Sequence, residues 1–384
     1  MGKEFSVPSK IFTGENALEC AKSEIINSGK KAFIVTGKHV VKLDCFKSVT
    51  DILDSEKIEY VVFTDITGEP DNKMIDKGVK LYQEESCDFF IAVGGGSPLD
   101  SMKAIGVLCV NGGKISDYMG KNITAVLPKM IAIPTTAGTG SEATKFTVIT
   151  DSEKGIKMLL KGTNLVPDVA IVDPIFSLTS PKSITASTGL DALTHAVESY
   201  TSKMAQPLTD DVSLSAVKRI FKFLPIAYND ETNLKAREEM SIAALEAGFA
   251  INNASVTIVH GMSRPIGALF HVPHGLSNAM LLEKCMSFAL DGAVEKFAEL
   301  GKAIGCADKN DSDKIAAENF IKKLGGLCKI CEVPTLKEYG ISKEDFYAQI
   351  DKMSDDALAS GSPANTIKEV SKADVVKIYK SLYE

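Results

Sequence analysis

Tryptophan is absent from these 384 residues and histidine occurs only five times, so each imidazole can be weighed individually. No apolar run approaches the roughly 18 residues that cross a bilayer. The first residues, MGKEFSVPSKIFTG, lack a charged segment followed by an apolar stretch. A soluble, cytoplasmic protein is therefore expected. Lysine and arginine form no basic run and the net charge is −7, which argues against a nucleic-acid or membrane partner. Low-complexity tracts are also missing, and 45% hydrophobic with 24% charged residues is ordinary globular composition.

Disulfide-framework spacing is missing from the eight cysteines, so reduced thiols are expected. Cys328 and Cys331 form a single C-x-x-C without the second pair that a structural zinc site needs. Neither a G-x-G-x-x-G fingerprint nor a Walker loop is present.

The pattern that is present divides the chain in two. Short β-branched runs (KKAFIVTG, IEYVVFTD, DFFIAVGGG, KMIAIPTT, VPDVAIVDP) alternate with helical spacing in the first half, which predicts an α/β domain over 1–180 with a mostly parallel sheet. From Pro181 the spacing becomes helical throughout, predicting an all-α domain over 181–384. His260 is expected to end a long helix through AREEMSIAALEAGFAINNASVTIVHG, and His274 to lie in a Pro-containing loop.

Two loops in the first half carry binding chemistry. Gly94-Gly95-Gly96-Ser97 ends a strand and opens a helix with Pro98 in its first turn, which suits either a phosphate cradle or a tight turn. IAIPTTAGTGSEAT offers Thr135, Thr136, Thr139 and Ser141 after another strand, and two such loops at strand C-termini favour the nucleotide reading. Gly37 stands where an acidic residue commonly grips the ribose, and with Lys38 beside it the reading leans towards NADP over NAD.

In the second half, Asp191 and His195 are four apart and share a helix face, and His260 and His274 bracket HGMSRPIGALFHVPH. One carboxylate and three imidazoles suit Fe²⁺ or Zn²⁺. The competing reading makes each a separately hydrogen-bonded residue, as expected for His39 and His271.

GGGSPLD, PTTAGTGSE, GLDALTHAVESY and HGMSRPIGALFHVPHG together resemble the iron-dependent alcohol dehydrogenase family, in its order and spacing over nearly the whole chain. The resemblance implies a dinucleotide-binding α/β domain, a helical domain of the dehydroquinate synthase-like fold, and a metal in the cleft between them. It assigns Asp191, His195, His260 and His274 as ligands, Gly95, Gly96 and Ser97 to the pyrophosphate loop, and Thr135, Thr136 and Thr139 to a second cofactor loop. It also aligns Lys157 and Leu178 with cofactor contacts, and leaves Asp100 facing the nicotinamide or serving the helix dipole. Arg264 departs from the histidine of many relatives. It is expected either to contact an anionic substrate group or to pair outside the pocket. The implied activity is NAD(P)H-linked interconversion of a small primary alcohol and its aldehyde. The alternatives are a zinc enzyme like glycerol dehydrogenase or dehydroquinate synthase, and a catalytically silent nucleotide-binding protein. A homodimer or higher oligomer is expected, with EFSVPSKIFTG able to add an edge strand to a partner.

Overall fold

The computed structural model describes residues 2–383. Contacts divide the chain into Ser6–Ser180 and a second unit of Pro181–Glu384 with Met1–Phe5. The N-terminal segment joins the helical unit because the Glu4 carbonyl accepts from Gln206 Nε2 at 3.0 Å.

The first unit is built on a six-stranded, all-parallel sheet. Its strands are β1 (Lys10–Thr13), β2 (Lys31–Thr36), β3 (Glu59–Phe63), β4 (Phe89–Gly94), β5 (Met130–Pro134) and β8 (Val169–Val172), in the order β1-β8-β5-β4-β2-β3. Burial follows position. β4 and β5 are buried at every residue, whereas the edge strands β1 and β3 are largely half-exposed. Such continuous apolar runs are what a strand covered on both faces requires. Alternate residues feed two cores: Phe33, Val35, Phe90 and Ala92 pack on one face, and Ala32, Ile34, Phe89 and Ile91 on the other. Helices α1 (Ala17–Cys20), α2 (Lys22–Ile26), α3 (Asp44–Ser55), α4 (Asn72–Glu84) and α5 (Gly96–Asn111) belong to this unit, and α4 starts where Asp71 accepts from the Met74 N–H at 2.8 Å.

The five β-branched runs are all strands. β1 pairs in parallel with β8 of its own sheet. An antiparallel hairpin, β6 (Phe146–Asp151) and β7 (Ile156–Lys161), was not among the expected strands. Its alternating burial leaves Val148, Ile156 and Leu159 exposed, which blurs the apolar signal.

The second unit is helical: α6 (Lys182–Tyr200), α7 (Pro207–Asn229), α8 (Leu234–Ala254), α9 (Ile258–Phe270), α10 (His274–Ala289), α11 (Val294–Ala303), α12 (Asp313–Ile330), α13 (Lys343–Ala359) and α14 (Lys372–Ser381). α6 is buried from Gly189 to Tyr200 and is the central helix. Two expectations are corrected. The chain turns by 104° between α8 and α9, because Ser255 takes a left-handed φ of 64°, so His260 lies in the first turn of α9 rather than at the end of a long helix. His274 is the first residue of α10, following Pro273, rather than part of a loop. Among the described residues no single helix is long and apolar enough to cross a membrane.

Candidate metal centre and dinucleotide loops

α6 presents Asp191, His195 and Glu198 at spacings of four and three, which puts all three on one face of a buried helix. Glu198 reaches across to the start of α9. One oxygen accepts from Thr257 Oγ1 at 2.8 Å and the Val259 N–H at 2.6 Å, and the other lies 2.5 Å from His260 Nδ1. The carboxylate thereby caps α9, and its charge suits the positive end of the helix dipole. With Nδ1–H donated to Glu198, the His260 Nε2 lone pair faces Asp191.

α10 is brought in by a close approach at Gly275. A Cβ there would lie 2.3 Å from the Ser187 carbonyl oxygen and 3.2 Å from Asp191 Cβ. Only glycine permits that separation, and it sets His274 against α6. Asp191 Oδ1 then lies 3.8 Å from His195 Nε2 and 3.7 Å from Nε2 of both His260 and His274. One donor atom from each residue falls within 4.8 Å of all the others.

These residues fit a metal. Bonds of about 2.0–2.2 Å to nitrogen and oxygen put tetrahedral neighbours roughly 3.3–3.6 Å apart, so the three imidazoles already stand near that distance from Asp191 and would draw together around an ion. Three of the four donor atoms also gather around one point. Asn278 Nδ2 is 2.7 Å from Asp191 Oδ1, 3.1 Å from His260 Nε2 and 3.3 Å from His274 Nε2. Protonation states agree. Burial alone would raise the Asp191 pKa, but the three imidazoles and Asn278 hold it below the usual carboxylate value. Burial, with His195 and His274 adding to it, drives the His260 pKa well below that of a free imidazole, so this residue is neutral. Histidine ligates as the neutral ring.

Sequence reading singled out neither Glu198 nor Asn278. Glu198 lay in plain view in LDALTHAVESY, seven residues past Asp191, and Asn278 lies one turn past His274 on α10. Arg264, one turn past His260 on α9, donates from Nη1 to Ser362 Oγ at 3.0 Å. His39 and His271 stand apart from the group; His271 ends α9 in a left-handed turn at φ 55°.

In the α/β unit, β2 is followed outward by β3, and the chain then returns to place β4 on the other side of β2. The order reverses between β2 and β4, and loops beyond strand C-termini at such a switch point bind nucleotides. Gly37 and the exposed Lys38 follow β2, Gly95, Gly96 and Ser97 follow β4, Thr135, Thr136 and Thr139 follow β5, and half-buried Leu178 follows a short turn after β8. The β4 and β5 loops touch. A Cβ on Gly96 would meet Thr139 Cγ2 at 2.9 Å, and one on Gly95 would meet Thr136 at 3.4 Å. No side chain caps the start of α5, so its first N–H groups are left for an anion. This cradle fits a dinucleotide pyrophosphate.

Asp100 and Ser141 are bonded to each other beside the loop. Ser141 Oγ donates to Asp100 Oδ1 at 2.6 Å, and the other Asp100 oxygen accepts the Val148 N–H at 2.8 Å. Fully buried Lys103 of α5 donates to the carbonyls of Ser141, Thr144 and Phe146 at 2.7–2.8 Å, which fastens the β5 loop to the pyrophosphate helix. Lys157 lies on β7 and pairs with Glu69 at 2.7 Å. Burial pushes the Cys328 and Cys331 thiols up to about 12, far from the thiolate a metal or redox role would need.

Comparison with known proteins agrees with this geometry. Residues 8–174 match the iron-containing alcohol dehydrogenase family, and residues 185–383 match the C-terminal part of the Fe-containing alcohol dehydrogenase family. The chain belongs to the iron-containing alcohol dehydrogenases. It is 34% identical to the 1,3-propanediol dehydrogenase of Citrobacter freundii, over 99% of this chain and 98% of that one. It is also 34% identical to the NADPH-dependent butanol dehydrogenase of Clostridium saccharobutylicum, over 99% and 97%. A solved 1,3-propanediol oxidoreductase superposes with a TM-score of 0.95 at 33% identity, covering both chains fully. The protein is an NAD(P)-dependent, metal-dependent oxidoreductase that interconverts alcohol and aldehyde, and membership of this family favours that reading over the zinc-enzyme and silent-protein alternatives.

Proposed function

We propose that Asp191, His195, His260 and His274 hold one divalent cation, Fe²⁺ in preference to Zn²⁺, and that it serves the reduction of a short aldehyde or oxidation of its primary alcohol. The observation that carries this is the convergence of four donors from three helices within 4.8 Å, with a single carboxylate among them. The bound ion supplies a Lewis acid for the substrate oxygen. The chain's residues do the rest. Asp191 contributes the one negative charge in the donor set, Glu198 orients His260, and burial keeps Asp191, His195 and His260 from water while His274 stays half-exposed. Arg264 stays protonated and is no general base, so this side chain does not take the substrate proton.

In the same reading Gly95, Gly96 and Ser97 hold the pyrophosphate, and Thr135, Thr136, Thr139 and Leu178 border the dinucleotide. Asp100 and Ser141 brace that loop, and Lys157 is a further contact. Gly37 and Lys38 favour NADPH over NADH, since the nearest atom to a Cβ at Gly37 would be the Ile66 carbonyl at 3.6 Å and no side chain fills the position. The enzyme is read as a cytoplasmic homodimer or higher oligomer. Eight unpaired cysteines support a reducing compartment, and β1, terminal in its sheet, offers an edge for association.

His260→Ala tests the centre. It should weaken metal affinity at least about 100-fold and abolish metal-dependent turnover, while dinucleotide binding measured by fluorescence persists. Full metal content with unchanged turnover would sink the assignment. Comparison of kcat/KM for NADPH and NADH tests the cofactor preference.

A further inference from the structure

Arg264 stands on α9 one turn beyond His260, so its Cβ lies about 5–6 Å from that of His260 on the same helix face. Its guanidinium is anchored at one corner. Nη1 donates to Ser362 Oγ at 3.0 Å, and Ser362 is itself buried. Nε and Nη2 meet no acceptor among the described residues, yet neither is sealed from solvent. These two atoms form one edge of the guanidinium, a pair of parallel N–H donors that matches two oxygens of a carboxylate or sulfonate.

Among the described residues no acid takes that edge. Glu198, the carboxylate whose field reaches Arg264, commits its oxygens to Thr257, Val259 and His260. Charge balance points the same way. A divalent ion would offset Asp191 and Glu198, and Arg264 would then leave one positive charge in surplus beside the ligand group. A neutral substrate leaves that charge unpaired, whereas a monoanion neutralises it.

We propose that Arg264 selects the substrate, and that this enzyme acts on short aldehydes carrying a terminal carboxylate or sulfonate one to three carbons from the carbonyl. The proposal rests on the metal-centre reading above. The spacing follows from one helical turn between the residue that helps hold the ion and the residue that grips the anion.

The test compares kcat/KM of the metal-loaded enzyme for succinic semialdehyde and sulfoacetaldehyde with that for butyraldehyde and propionaldehyde. The wild type should favour the anionic pair. Arg264→Gln should lower the anionic-to-neutral ratio by roughly 10- to 100-fold, mostly through KM, and Arg264→Lys should fall between, since it keeps the charge without the fork. A second readout needs no turnover. Calorimetric titration of metal-free protein with ethanesulfonate and butyrate should show weak binding that is lost in Arg264→Gln. Preference for one anion over the other identifies which of the two the site takes. Equal turnover of neutral and anionic aldehydes, or a ratio unmoved by both substitutions, overturns the proposal and leaves the dehydrogenase reading intact. Absence of turnover with every aldehyde, after metal loading and with both dinucleotides, would instead overturn that reading. Arg264→Lys and titration of the wild type carry the test should Arg264→Gln fail to fold.

Discussion

Of the four clustered donors only Asp191 is anionic, and its oxygen is the one near which all three imidazole nitrogens gather. The second buried carboxylate, Glu198, works through His260. It fixes the ring by accepting from Nδ1 and makes Nε2 a better donor to a cation, as carboxylates behind metal-binding histidines do. Glu198→Gln keeps an acceptor but removes the charge. It should weaken metal affinity by about 10- to 100-fold and leave dinucleotide affinity unmoved, as read by metal content after dialysis against graded chelator. Retention equal to wild type would exclude this role. Asp191 and His195 were legible because four-residue spacing on a helix is a local property. Glu198 was not, because a glutamate in an amphipathic-looking stretch is ordinarily solvated, and only the packing of α9 on α6 buries it.

At the level of elements, one glycine decides how closely two helices can meet, and it carries no chemistry of its own. Gly275→Ala places a methyl 2.3 Å from the Ser187 carbonyl, a backbone atom that cannot swing aside. α10 must retreat from α6, at a cost of about 1–3 kcal/mol, and metal affinity should fall because His274 moves with it. Denaturant titration and metal content together check this, and a variant with unchanged metal affinity would separate the α10 position from the site. The β5 loop makes a second case. Burial pushes the Glu142 pKa up to about 7 and pulls the Lys103 amine down to about 8. Between pH 4.5 and 7 the unfolded chain releases the Glu142 proton while the folded chain keeps it, so stability falls as pH rises through that window, by up to about 3 kcal/mol. Lys103 acts oppositely between pH 8 and 10.5, where the folded chain has lost a proton that the unfolded chain retains. Glu142→Gln should thus gain stability relative to wild type at pH 7.5 but not at pH 4.5. Parallel unfolding curves at both values would disprove it. The loops themselves were legible from glycine and threonine spacing, but the lysine that fastens them was not, since a lysine inside GSPLDSMKAIGVL reads as an exposed helix position.

For the whole molecule, the change from alternating β and α texture to helical texture at Pro181 coincides with the separation into two units, and the α/β unit carries a core on each face of its sheet. What composition could not show is that the N-terminal segment joins the helical unit, where the Glu4 carbonyl accepts from Gln206 Nε2. The hairpin β6–β7 escaped for a related reason, because half-exposed strands lack the continuous apolar run that marked the central ones. The two ligand sets are equally divided: all four metal donors lie in the helical unit, and all the pyrophosphate-loop residues lie in the α/β unit. A ligand stabilises the folded form it binds, by about 4 kcal/mol at a thousand times its Kd. For a unit near 200 residues this amounts to a Tm shift of roughly 8–16 °C. Calorimetry of the intact chain should then show chelator lowering the transition of the helical unit and dinucleotide raising that of the α/β unit. Limited proteolysis during the scan would identify which unit opens in each. A single transition moved equally by both ligands would mean that the two units unfold together.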